Sequence, residues 1–110
     1  MINANANLVN LYYRTGKTID ENIKWGNKFV ETVAFELKNT FPTLKGFSVR
    51  NLKYMKAFYN EYKDDAEFVH CLNCAQLPWK HNITLIQKVK DKNIRKWYMK
   101  KYLEDRYSFI

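Results

Sequence analysis

At 110 residues the chain has room for one domain with a single modest core. The composition is globular, with 46% apolar residues but only three glycines and two prolines, which argues against a many-turned β sandwich and for long helices. No apolar run approaches the roughly 18 residues of a membrane span, and the net charge of +8 invites a polyanion, because neutralised phosphates release counterions.

Lysines outnumber arginines, and Asn, Ile, Tyr and Phe are frequent, as codon bias in an AT-rich genome would also produce. Where the charge sits therefore matters more than its total. The residues after Met1 are polar and Asn-rich, without a secretory pattern, so a cytoplasmic location is the expectation.

The spacing of Leu8, Leu11, Tyr12, Ile19 and Ile23 predicts a first helix over 4–23. Gly16 inside it disfavours helix by about 1 kcal/mol, and its retention suggests close approach of another helix. Trp25-Gly26 reads as a C-cap. Phe29, Val30, Val33, Ala34, Leu37 and Phe41 then form the apolar stripe of a second helix over 27–40, which Pro42 ends. The connector carries Gly46, free to take positive φ.

Ser48 is placed as N-cap of a third helix over 48–62. At 100° per residue, Val49, Leu52, Met55, Phe58, Tyr59 and Tyr62 cluster on one side, while Arg50, Lys53, Tyr54, Ala57 and Asn60 project from the other. Asn51 falls near the boundary, as a local hydrogen-bonding residue. Asp64-Asp65-Ala66-Glu67 resembles a capping box for a short fourth helix over 65–74 with Phe68, Val69 and Leu72 inward. Leu77-Pro78 breaks the chain before a fifth helix over 78–89, carrying Trp79, Ile83, Ile86 and Val89. Asp91 precedes a sixth over 92–105, with Ile94, Trp97, Tyr98 and Tyr102 as its inner stripe. The expectation is an all-α single-domain bundle of about six helices spanning 1–110.

Helix, glycine-containing connector and helix is the order of a helix-turn-helix, here 27–40 and 48–62, although the connector is longer than the usual 3–4 residue turn. On that reading the nucleic-acid-binding residues are Lys45, Ser48, Arg50, Lys53, Tyr54, Lys56 and Asn60, with Lys63 as a flanking phosphate contact. Lys92, Lys96 and Lys100 line up as a secondary basic face. The competing account is an amphipathic helix with a solvated basic side.

Other chemistry finds little in the sequence. His70, Cys71, Cys74 and His81 resemble half a zinc site, but zinc calls for two complete ligand pairs, and buried cysteines in a reducing compartment explain them better. Glu36-Leu37-Lys38 and Glu61-Tyr62-Lys63 spell part of a restriction-type nuclease motif inside helical pattern, without the aspartate-bearing strand that would complete a Mg²⁺ site. There is no Gly-rich phosphate loop, nucleophile elbow or HExxH. Neither catalytic residues, a metal site nor a cofactor is expected.

Leu11-Tyr12-Tyr13-Arg14-Thr15-Gly16-Lys17, then Trp25-Gly26, Leu37, Phe41-Pro42 and GFSVRNLKYMKAFY, then Leu77-Pro78-Trp79-Lys80-His81, Val89-Lys90-Asp91 and Trp97-Tyr98 keep one order through nearly the whole chain. This series resembles the N-terminal domain of YhcG-type PD-(D/E)xK nucleases, with Tyr13 and Lys80 departing from the tryptophan and serine usual there. The resemblance implies a helical, DNA-binding-like domain of unknown function that a nuclease domain follows. The chain stops at Ile110, about where a linker would begin, so the nuclease half is expected to be absent. Expected partners are DNA and either a second copy or a separately encoded nuclease domain. The alternative is a protein-interaction or dimerisation module, with Trp25, Tyr12 or Trp79 as docking aromatics.

Overall fold

The computed structural model describes residues 4–22, 26–65 and 77–108. Among them are five α-helices and no strand: α1 (Ala4–Glu21), α2 (Gly26–Thr40), α3 (Val49–Tyr62), α4 (Trp79–Lys88) and α5 (Lys92–Ser108), with a 3-10 turn at Lys63–Asp65 after α3. The all-α expectation holds for these residues. The expected fourth helix over 65–74 falls almost wholly outside them, as do Trp25, Ile23, His70 and both cysteines. No described helix is long and apolar enough to cross a membrane.

Contacts gather into two compact units: Tyr12–Asn60, and Met1–Leu11 with Glu61–Ile110. In the first unit α1 packs against α3 through a seam that only glycine permits. A Cβ at Gly16 would overlap the Met55 carbonyl oxygen and stand 3.1 Å from Lys56 N. Around that seam Tyr12, Tyr13 and Ile19 of α1 are buried with Leu52, Met55 and Phe58 of α3. Each fully buried side chain of this size stabilises by about 1.5–3 kcal/mol. Tyr13 meets Phe58 edge-on at 6.2 Å and Tyr59 at 5.2 Å.

Three sequence-based core assignments are corrected. Leu8 and Leu11 are exposed, because α1 turns Val9, Tyr12, Tyr13, Gly16 and Ile19 inward instead. Of the α2 stripe only Val30 is fully buried, and Phe41 stands in the open connector. On α5 the inner stripe is Arg95, Met99 and Leu103, whereas Ile94, Trp97 and Tyr98 face outward. An i, i+4 series of either kind satisfies helical periodicity, and the aromatic series drew the assignment away from one containing arginine.

In the second unit the Leu77 carbonyl is a fastening point. It accepts from Asn5 Nδ2 of α1 at 2.7 Å and from buried Asn82 Nδ2 of α4 at 3.3 Å. Arg95 is 1% exposed and held by α3 and the chain before α5: its guanidinium donates to the Glu61 carboxylate, to Tyr62 Oη at 3.4 Å and to the Lys90 carbonyl at 3.3 Å. It also lies 5.5 Å over the Tyr62 ring. Burial of so large a cation is tolerable only with such partners. Glu61 of the Glu-x-Lys sequence is thus a structural counter-ion.

Candidate nucleic-acid interface

The start of α3 is built by the connector. Gly46 takes φ +93°, a left-handed conformation that glycine alone adopts without strain, and a side chain there would also strike the Tyr12 hydroxyl. Asn51 Nδ2 donates to the Gly46 carbonyl at 2.6 Å, and Asn51 N donates to Ser48 Oγ at 3.2 Å. The Ser48 side chain therefore caps α3, and Asn51 is the local hydrogen-bonding residue its boundary position suggested. Phe47 packs edge-on against Tyr12 at 5.8 Å, holding the connector to the core.

From that start, α3 presents Arg50, Lys53, Ala57 and Asn60 as its exposed side, with Tyr54 and Lys56 half-buried at its margins. Lys45 and Ser48 are exposed in the connector. These side chains are not equivalent. Arg50 Nε donates to Tyr54 Oη at 3.0 Å, and its guanidinium sits 5.7 Å over the Tyr54 ring, so the two act as one flat cationic unit. Asn60 Nδ2 donates to Asp20 Oδ1 of α1 at 3.0 Å, which ties it to the protein itself. Of the sequence-predicted residues of this site, Lys45 and Lys53 are the exposed cations whose side chains make no hydrogen bond or ion pair to another described residue.

The secondary basic face belongs to the other compact unit. Lys92 and Lys100 are exposed there, whereas Lys96 Nζ is engaged by Asp65 Oδ2 at 2.8 Å. Among the docking aromatics of the alternative reading, Tyr12 is a core residue and Trp79 is half-buried.

Helical spacing alone missed one signal. Between Glu36 and Glu61 the sequence has no carboxylate but contains Lys38, Lys45, Arg50, Lys53 and Lys56. The end of α2, the connector and nearly all of α3 therefore form a one-signed segment. Such a field attracts polyanions at a range that isolated surface pairs do not. Among the described residues no cluster of three or more His, Cys, Asp or Glu could hold a metal ion.

Residues 1–109 match the family described as the DUF1016 N-terminal domain. The chain belongs to that family. No curated protein and no solved structure matches it. The DUF1016 N-terminal match extends through both compact units and takes in the capped start of α3 as well as α4 and α5.

Proposed function

We propose that this DUF1016 N-terminal domain is a non-catalytic, cytoplasmic module that binds nucleic acid, with duplex DNA as its ligand and α3 laid against a groove. The observation that carries the reading is the exposed row of Lys45, Arg50 and Lys53 within a segment free of carboxylates. Phosphate contacts of this kind position a protein on the duplex and drive affinity through counterion release. The order α2, connector, α3 supports a helix-turn-helix-like use, with Arg50 and Lys53 in the first turns, where base contacts are made. The connector spans 41–48, so α2 and α3 are a relaxed version of that motif. The resemblance of GFSVRNLKYMKAFY to YhcG-type sequences supports a targeting role beside a PD-(D/E)xK nuclease domain.

Fluorescence anisotropy with labelled duplex across a salt series tests the proposal. Affinity should fall steeply with salt, and an Arg50→Ala/Lys53→Ala variant should bind about tenfold or more weakly. Absence of binding at low salt, or unchanged binding by the double variant, would overturn it.

A second reading, a protein-interaction module, is favoured by Phe35, Phe41 and Leu44, large apolar side chains exposed on α2 and the connector. Phe35 and Leu44 line a cavity of about 600 Å³ together with Ala34, Leu37, Pro42 and Val49. A tight dimer in sedimentation, broken by Phe35→Ala/Phe41→Ala and indifferent to DNA, would select this reading.

A further inference from the structure

Trp97 is 59% exposed on a helix whose opposite side is buried. With Arg95, Met99 and Leu103 turned into the protein, α5 presents Ile94, Trp97, Tyr98 and Lys101 outward. The Trp97 and Tyr98 rings meet edge to face at 5.0 Å. Tyr98 continues into a cavity of about 430 Å³, where Tyr102 and His81 pack with ring centroids 5.2 Å apart and Lys80 and Leu85 are among the lining residues. That volume is within the range of pockets that hold small planar ligands.

The surroundings of this aromatic face are cationic. Between Glu67 and Glu104 the sequence has one carboxylate, Asp91. Its Oδ1 accepts from Asn93 N at 2.8 Å and Ile94 N at 3.2 Å, so its charge is engaged in capping α5. Lys80 and Lys100 stand exposed on the same two helices. Lys101, between Trp97 and Tyr98 around the helix, has only an exposed partner in Asp105, at 3.6 Å. Such a surface pair is weak and exchangeable. Glu104 and Asp105 close the face at its far end, leaving the part around Ile94–Lys101 positive.

A purely apolar partner would meet lysines here, and a purely anionic one would leave the rings unused. A strand of unpaired nucleotides satisfies both: its bases stack on flat rings and its phosphates reach the lysines. We propose that the α4–α5 face binds single-stranded nucleic acid. An unpaired base stacks on Trp97 or Tyr98, and Lys80, Lys100 and Lys101 hold the flanking phosphates. Every base has a π-face, so the site is tolerant of sequence. The site uses no residue of α3 and stands whether or not α3 grips duplex.

The test is titration of the full chain with a dye-labelled single-stranded oligo(dT), followed by anisotropy. Trp97→Ala should weaken binding by about tenfold, while Trp97→Phe, which keeps a ring, should retain most of it. Lys80→Ala/Lys100→Ala should weaken binding and flatten its salt dependence. Arg50→Ala/Lys53→Ala should weaken duplex binding more than oligo(dT) binding and Trp97→Ala the reverse, so that failure of the α3 reading and failure of this one are told apart. Circular dichroism verifies that each variant is folded; Trp97 is exposed enough for its removal to spare the core. Three results would each overturn the proposal: no binding of oligo(dT), equal binding by wild type and Trp97→Ala, or displacement of oligo(dT) by polyglutamate at equal charge concentration.

Discussion

Gly16 of α1 lies directly on the main chain of α3 at Met55, so close that an added Cβ would stand 2.6 Å from the Met55 carbonyl carbon. The neighbour is backbone and cannot rotate aside. Gly16→Ala should therefore destabilise by about 2–3 kcal/mol, against the gain of about 1 kcal/mol expected from helix propensity alone. Urea unfolding monitored by circular dichroism checks the sign, which is the informative part.

Arg95 and Glu61 form the second relationship open to measurement. The Arg95 side chain is almost wholly buried and that of Glu61 about a third exposed. Glu61→Ala strands a buried guanidinium and should cost about 2–3 kcal/mol, below the full figure for a buried pair because water still reaches the carboxylate. In the Glu61→Ala background, Arg95→Met should recover part of that loss. A double-mutant cycle by chemical denaturation would show this as clear non-additivity.

Burial lifts the Tyr12 phenol above its ordinary value. The folded state favours the neutral phenol, so the stability linked to it is fully present below about pH 10. It is lost as pH rises through the raised folded value. Absorbance near 295 nm should show a late-titrating component that is lost in Tyr12→Phe. Tyr12→Phe should flatten the alkaline fall in stability.

The residues nearest the proposed duplex site should separate by their existing partners. Lys53→Ala should lower the salt slope of DNA binding by about 0.9. Asn60→Ala should leave affinity within about twofold, since Asn60 is already bonded to Asp20, and should instead lower stability by about 1 kcal/mol. Anisotropy and thermal melting on the same two variants distinguish these outcomes.

Much of the architecture was legible where local chemistry decides the structure. Ser48, Gly46 and Pro42 mark their turn by properties of the residue itself, and the oily side of α3 repeats strictly enough to be read. The meaning of Gly16 was legible too, because a glycine kept inside a helix needs a reason. The orientation of α5 was not. Its two possible stripes differ in whether an arginine or a tryptophan is buried, and only the partners Glu61 and Tyr62, more than thirty residues away, make the arginine the better choice. For the candidate site, spacing identified the exposed side of α3 but not which of its residues were engaged. Asp20 and Asp65 lie on other elements, and nothing in the local pattern links them to Asn60 and Lys96.

The hydrogen bonds among Gly46, Ser48 and Asn51 have a consequence for any ligand of α3. They join the connector to the first turn, so the axis of the helix and the bearing of Arg50 and Lys53 are set when the protein folds. Little orientational freedom remains there to be surrendered on contact. A rigid helix of this kind should associate with a small entropic penalty and little rearrangement of its main chain.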